Sequence, residues 1–162
     1  MLMMYAGLPY GIFGFKFDGG KATIYDGGNH YFSVTKEADY GKAVVGMLEK
    51  PHETTGKVLY IQSARFTQLE LLSIVVSIVG KKYEKTEADT AIMAEEASEA
   101  SSKGDHSKIF NFVIRGMFSG KYNADFEDTK SNSLVGVKEI KGDVLVAYVR
   151  KLCEESKRKQ ES

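Results

Sequence analysis

Apolar residues are concentrated near the middle of the chain, where their pattern predicts a strand, a turn and a buried helix. Residues 58–61 (VLYI) form a short run of β-branched and aromatic side chains, which is typical of a strand buried on both faces in a parallel sheet. The chain should turn at residues 63–66. Thr67 and Glu70 have the spacing of a capping box, so a helix should begin there. That helix should end at Gly80, with a second extended segment shortly after it.

The part of the chain before this run shows a strand pattern followed by a helical pattern. Residues 21–25 and 31–34 should be extended, with a hairpin turn between them. Thr35 should cap a helix whose apolar stripe faces a sheet, and the chain should then return to the strand at 58–61. If the strands lie parallel, this strand–helix–strand unit is right-handed. The stripe consists of Ala38, Gly41, Val44, Val45 and Leu48.

Three further helices are expected after the central run. Residues 90–102 favour a helix with glutamates on its outer face, and a helix with a strongly apolar face should follow Asp105. We expect that face to pack away from the main sheet, within a helical subdomain. A last helix should begin near Asp143 and lead into a charged, flexible tail at residues 153–162. The inward residues are Ile109, Phe110, Val113, Ile114, Met117 and Phe118 in the second helix, and Val144, Leu145, Tyr148 and Leu152 in the last.

Length, charge and cysteine content narrow the class of protein. A chain of 162 residues fits one α/β domain with its own core, residues 1–162. Lys and Arg number 22 and so do Asp and Glu, so the formal net charge of zero argues against a nucleic-acid partner. The single cysteine, Cys153, permits no internal disulfide and predicts a reducing, cytoplasmic location. Residues 1–17 are apolar but have no positive charge before Lys16, so we expect neither a signal peptide nor a membrane anchor.

The sequence contains no complete catalytic motif. His30, His52 and His106 do not share a metal-ligand spacing with one another or with Cys153, so no metal site is predicted. The chain has no Gly-x-Gly dinucleotide fingerprint, no Gly-x-Ser-x-Gly elbow, no Gly-Lys-Ser/Thr loop and no tyrosine followed four residues later by lysine. We therefore assign no catalytic and no cofactor-binding residue from the sequence.

Seven short motifs, taken together, resemble the sequence pattern of one protein family. They are GIFGF at 11–15, ATIYDGG at 22–28, F-S-x-T at 32–35, GKAVV at 41–45, P-x-E-T at 51–54, VLYIQS at 58–63 and FTQ at 66–68. Together they resemble the fungal members of the NmrA-like, isoflavone-reductase-like family of atypical short-chain dehydrogenases. The opening departs from that family, whose members often carry an aromatic residue followed by Asp-Trp-Gly-Leu where residues 4–8 here read MYAGL.

The resemblance implies a part of a larger enzyme fold. This chain would correspond to the C-terminal half, a partial Rossmann-like sheet with a helical substrate-binding subdomain. NAD(P) is the implied cofactor of the full-length family, and its glycine-rich loop belongs to the other half. We therefore expect no cofactor for this chain alone, and no hydride transfer by it. The implied partner is a small-molecule substrate, and self-association through the apolar residues 1–17 remains open. A non-catalytic regulator or sensor, or an interaction domain, is the alternative reading.

Five residues are predicted to line a substrate pocket if the family architecture holds. In α/β sheets, ligands bind beyond the carboxyl ends of the strands, where the segment at 11–15 would form one wall. The turn after the strongly apolar helix would form the other, and Thr35 would supply a hydroxyl at the rim. The residues are Phe13, Phe15, Thr35, Phe118 and Tyr122. The competing interpretation is that the four aromatic rings are ordinary core.

Overall fold

A computed structural model describes residues 2–3, 11–17 and 19–160 and shows an α/β fold. Residues 1 and 4–10, which belong to the apolar segment considered for self-association, lie outside the described residues. The strands are β1 (Leu2–Met3), β2 (Gly20–Tyr25), β3 (Tyr31–Thr35), β4 (Ala64–Thr67) and β5 (Tyr83–Ala88). The helices are α1 (Glu37–Glu49), α2 (Pro51–Thr54), α3 (Gln68–Val79), α4 (Thr90–Ser102), α5 (Phe110–Phe118) and α6 (Gly142–Gln160).

The described strands form two separate sheets. In the first, β3 lies between β1, which runs parallel to it, and β4, which runs antiparallel. In the second, β2 pairs in parallel with β5. The turn predicted at residues 26–29 exists, with Gly27 at a φ of 75°. It does not close a hairpin, because the strands on either side of it enter different sheets. The condition for a right-handed strand–helix–strand unit across α1 is not met, since the strand that follows α1 is β4 and it runs antiparallel to β3.

The strand predicted at residues 58–61 lies instead at β4, where we expected a turn. Val58 is 78% exposed, and in place of a strand ladder this segment forms an isolated bridge, between Tyr60 and Lys130. The four residues of β4 pair with β3 and bury Ala64, Phe66 and Thr67. Pairing with β3 and burial in the core therefore decide the strand, and the β-branched composition of 58–61 does not.

The predicted capping box opens α3. The N–H of Glu70 donates to Thr67 Oγ1 over 3.1 Å, and the N–H of Thr67 donates to Glu70 Oε2 over 2.8 Å. Gly80 ends the helix in the left-handed conformation, as predicted. Helix α3 buries Leu71, Leu72 and Val75 in the core, and β5 then confirms the extended segment expected after it.

Helix α1 buries a different face from the one predicted. Its buried residues are Asp39, Ala43 and Gly46, while Val44, Val45 and Leu48 of the predicted stripe are 50%, 54% and 76% exposed. A Cβ on Gly46 would lie 2.6 Å from the carbonyl oxygen of Val135, so a loop packs against the helix where only glycine fits. Thr35 does not cap the helix, because its hydroxyl donates to the carbonyl oxygen of Ile61.

Helix α4 has the predicted bounds and α5 packs partly as predicted. Ile114, Met117 and Phe118 are buried, but Ile109, Phe110 and Val113 are 43–55% exposed. The buried face of α5 is therefore narrower than the predicted stripe. Phe118 contacts the ring of Phe32 on β3 at a centroid distance of 5.1 Å, so this face joins the main core and does not pack away from the sheet.

Helix α6 begins at the predicted place and continues to Gln160. Leu145, Val149 and Leu152 are buried, whereas Val144 is 61% exposed and does not point inward as predicted. Cys153 and Ser156 are also buried, so the flexible tail that we expected from residue 153 is helical through 160. Within the described ranges, no helix is both long and apolar enough to span a membrane.

Candidate functional site

A cavity of about 400 Å³ opens between β3, α5 and the chain that follows α5. Four aromatic residues line it, namely Phe32, Tyr60, Tyr122 and Phe126. Val113, Gly116 and Met117 of α5 form the opposite wall, and no lining residue carries a formal charge. A cavity of this size with apolar walls and few polar groups is typical of a small-molecule site.

One polar side chain of the cavity, Ser33, is fully engaged in hydrogen bonds within the protein, and three others lie at the mouth. Ser33 Oγ donates to Gln62 Oε1 over 2.7 Å and accepts a hydrogen bond from the N–H of Phe126 over 2.8 Å, so it holds protein to protein. Tyr60, Tyr122 and Asn123 are exposed lining residues with polar ends. Asn123 has a φ of 54°, a conformation that asparagine tolerates better than most side chains. These three side chains are the groups available to orient a ligand.

A buried amide network supports the cavity from behind. The N–H of Gln62 donates to Asn132 Oδ1 over 3.0 Å, and Asn132 Nδ2 donates back to the carbonyl oxygen of Gln62 over 2.7 Å. Gln62 Nε2 donates to Glu127 Oε2 over 2.8 Å. Hydrogen bonds from Lys130 and then Gln62 hold the pKa of Glu127 below its usual value. Because buried polar groups are costly unless paired, this network fixes the loop that carries the cavity wall.

Asp39 is the most deeply buried carboxylate of the described residues, at 1% exposure, and its partners give it a structural role. Ser63 Oγ donates to it over 2.6 Å, and Lys36 and Lys42 lie within 3.2 and 3.0 Å. Burial alone raises the pKa of Asp39, but the hydrogen bonds from Ser63, Lys42 and Lys36 outweigh burial and leave it below its usual value. A carboxylate held ionised by these partners is poorly suited to take up a proton as a general base.

The five residues predicted as pocket lining lie in different environments. Tyr122 lines the cavity. Phe13, Phe15 and Phe118 are buried in the core, and Phe13 and Phe118 meet through Phe32, at ring distances of 5.6 and 5.1 Å. Thr35 is buried and donates to a backbone carbonyl. None of these four lines the cavity between β3 and α5.

Most residues of the cavity wall were not predicted from the sequence. Phe32 and Ser33 belong to the F-S-x-T motif of the family resemblance, which was a signal that we did not use for the site. Asn123 and Phe126 lie in a stretch without helical or strand periodicity, so no pattern pointed to them. Tyr60 lies in a segment interpreted as a buried strand, whereas its ring packs against Phe126 at 5.0 Å.

The starts of the three described helices that directly follow a strand, α1, α3 and α4, do not fit the pyrophosphate of a dinucleotide. Such a site needs free N–H groups and no competing anion at the N-terminus of a helix that follows a strand. At α3 the capping box places Glu70 there, α1 begins with Glu37 and Asp39, and at α4 the Asp89 carboxylate accepts from two N–H groups. The described residues also contain no group of three or more metal-ligating side chains that could hold an ion.

Comparison with known proteins gives two partial similarities, and no protein-family model matches the chain. It is 28% identical over 145 residues to the oxidoreductase poxI of Penicillium oxalicum, covering 87% of this chain and 46% of that protein. The poxI sequence of strain 114-2 of the same species matches equally. The chain therefore spans about half the length of the curated relatives it matches.

Among solved structures, UDP-glucuronic acid 4-epimerase from Bacillus cereus in complex with NAD is 20% identical, with a TM-score of 0.40. The match covers 74% of this chain and 39% of the epimerase. The chain thus has an α/β fold with weak sequence similarity to part of an oxidoreductase.

Proposed function

We propose that this chain is the substrate-binding portion of an NAD(P)-dependent oxidoreductase-like protein of the NmrA-like, isoflavone-reductase-like type. The observation that carries the proposal is the uncharged, aromatic-lined cavity between β3 and α5. The similarity to about half of a fungal oxidoreductase supports it, as do the motifs between residues 11 and 68.

The lining determines the class of ligand. Moving a charged group from water into a site without a counter-charge is expensive, so the cavity favours a neutral molecule. Aromatic side chains such as Tyr60 and Phe126 favour flat, apolar ligands through stacking and edge contacts. The polar ends of Tyr122 and Asn123 at the mouth would orient one hydroxyl or carbonyl group of the ligand.

Catalysis would require a dinucleotide that this chain does not hold by itself. When bound, the cofactor would supply the hydride, and another part of a longer protein would bind it. The starts of α1, α3 and α4 disfavour its phosphates, and the sequence has no Gly-x-Gly. The role of the residues described here is to bind and orient the substrate and to exclude water from it.

A matched pair of ligands tests the proposal. We expect 2-naphthol, which is neutral at pH 7, to bind, and 2-naphthoate, which has the same rings and a charge, to bind at least roughly tenfold more weakly. Fluorescence titration of both compounds measures this directly.

Two glycine variants locate the bound ligand. Gly116 lies on α5 with open space around the position of a Cβ, so Gly116→Phe should fill the cavity and abolish 2-naphthol binding. Gly41 on α1 also has open space, so Gly41→Phe is the matched control and should bind normally. Equal binding of both ligands, or undiminished binding by Gly116→Phe, would show that the cavity is not the site.

A second candidate function, an interaction domain, is favoured by one specific surface. Val44, Val45 and Leu48 of α1 are half or more exposed side by side. A second copy of the chain would cover them, so light scattering should show a dimer that Leu48→Lys converts to monomer. A wild-type monomer at all accessible concentrations would exclude this candidate.

A further inference from the structure

The outer wall of the cavity is a short segment that is attached to β3 at two points. We use the term wall segment for residues 122–126, of which all but Asp125 line the cavity. The N–H of Ser33 donates to the carbonyl oxygen of Ala124 over 2.8 Å. The N–H of Phe126 donates to Ser33 Oγ over 2.8 Å. Ser33 therefore holds the wall on both sides of Asp125.

A third attachment comes from the residue opposite Ser33 in the sheet. Arg65 of β4 is the cross-strand partner of Ser33. Its guanidinium binds Asp125 in bidentate fashion, with Nε to Oδ1 and Nη2 to Oδ2 both at 2.7 Å. The same guanidinium stacks on the ring of Tyr31 at 3.6 Å, which fixes its plane. One cross-strand pair thus anchors the wall segment at three consecutive residues.

We propose that Arg65 is a positioning residue that sets the width of the ligand cavity by holding Asp125, and with it the wall segment, against β3. This inference rests on the proposed function of the cavity. Arg65 does not line the cavity, so it acts only through Asp125. The two parallel hydrogen bonds need the planar fork of arginine, which lysine cannot reproduce.

A positioning role and a general structural role predict different results. The side chains of Arg65 and Asp125 are 29% and 31% exposed, and ion pairs near the surface contribute little to the free energy of unfolding. The core packing and the Gln62 network remain when the pair is broken. Loss of the pair should therefore move the wall segment and weaken ligand binding while leaving overall stability nearly unchanged.

A tryptophan in the wall segment reports its position without any ligand. The chain has no tryptophan, so Tyr122→Trp provides a single tryptophan at the cavity mouth, which can be excited selectively over the tyrosines. In that background, Arg65→Lys should shift the emission to longer wavelength and increase quenching by acrylamide, because the wall moves outward. Arg150→Lys on the exposed face of α6 is the matched control and should change neither signal.

Ligand binding by variants with Tyr122 intact completes the test. Arg65→Lys and Asp125→Asn should each weaken 2-naphthol binding about 3- to 30-fold, and the double variant should be no weaker than the worse single one. The urea midpoint of each should stay close to that of wild type. An unchanged tryptophan signal in Arg65→Lys, or a large fall in its urea midpoint, overturns the positioning role. Failure of wild type to bind 2-naphthol overturns the proposed function alone, because the tryptophan signal still decides the role of Arg65.

Discussion

The side chain of Gln68 donates a hydrogen bond from Nε2 to the carbonyl oxygen of Phe13 over 2.6 Å, which ties the start of α3 to the aromatic segment before β2. The same Nε2 donates to the carbonyl oxygen of Thr23, and Oε1 accepts from the N–H of Tyr25 over 2.9 Å. Gln68 is fully buried, and its single side-chain amide satisfies three backbone groups. This residue connects the start of α3 to β2 and to the aromatic segment before β2.

Replacement of Gln68 should therefore be among the more damaging changes in the chain. Gln68→Ala removes a hydrogen-bond partner from two carbonyl groups and one N–H that are buried or partly buried, so we expect the free energy of unfolding to fall by roughly 3–5 kcal/mol. Gln68→Glu should cost more at pH 7 than at pH 4, because an ionised carboxylate would face two carbonyl oxygens. Urea denaturation measures both, with Ser77→Ala on the exposed face of α3 as the control. A loss no larger than that of the control would contradict this account.

The buried carboxylate of Asp39 should make stability depend on pH in the acid range. A group whose pKa is lower in the folded than in the unfolded protein stabilises the fold above its unfolded pKa, about 3.9 for Asp. That stabilisation disappears as the pH falls through the folded pKa. Asp39→Asn should be less stable than wild type at pH 6 and should lose less further stability between about pH 6 and pH 3.

The control for this prediction is Asp128→Asn, an exposed carboxylate, which should follow the wild-type profile. Part of the acid dependence should remain in Asp39→Asn, because the hydrogen bond from Arg65 also lowers the pKa of Asp125. Parallel pH profiles for Asp39→Asn and wild type, measured by urea midpoint, would show that Asp39 has the same pKa in both states.

Two glycines on α1 should respond in opposite directions to the same substitution. Gly46→Ala places a methyl group 2.6–2.8 Å from backbone atoms of Val135, so it should destabilise the protein by about 1–3 kcal/mol. Gly41→Ala meets nothing within 4 Å and should stabilise it by up to about 1 kcal/mol, since alanine favours the helix. Thermal unfolding of the pair tests the packing of α1 against the loop at Val135. Similar effects of the two substitutions would mean that the loop at Val135 moves away to make room for the methyl group.

Substitution of the two phenylalanines at the ends of α5 by alanine should reduce the free energy of unfolding by very different amounts. Phe118 is 1% exposed and packs against Phe32 and Tyr25, so Phe118→Ala should cost about 3–5 kcal/mol. Phe110 is 48% exposed at the start of the helix, so Phe110→Ala should cost about 1 kcal/mol or less. Chemical denaturation of both variants measures the difference. A cost for Phe110→Ala close to that of Phe118→Ala would place the first ring in the core as well.

Features set by neighbouring residues were predictable from the sequence. The capping box of Thr67 and Glu70, the glycine that ends α3 and the bounds of α4 depend on hydrogen bonds and conformations within a few residues. Helix existence follows from such local rules. These predictions are confirmed for that reason.

Features set by distant contacts were not predictable. The buried face of α1 depends on a loop at Val135, which approaches Gly46 so closely that the larger apolar residues turn to solvent. The strand at β4 forms because it pairs with β3. Residues 58–61 do not form a strand, although their composition favours one more strongly. Of the cavity lining, only Tyr122 was predicted. Ser33, Tyr60 and Phe126 come from three segments that are far apart in the sequence, and a pattern within one segment does not show that they meet.

The pairing of β2 with β5 has a consequence for how the chain folds. Every residue from Asp26 to Lys82, including β3, β4 and α3, lies in the loop that this parallel pair closes. Closing a longer loop costs more chain entropy, and non-local parallel pairing is slow to form. The antiparallel β3–β4 pair and the capped α3 involve shorter separations, so they should form first and offer the apolar surface on which β2 and β5 meet. The docking of β5 beside β2 should then follow the formation of the β3–β4 pair and α3, and the β2–β5 pair should separate before them when the protein unfolds.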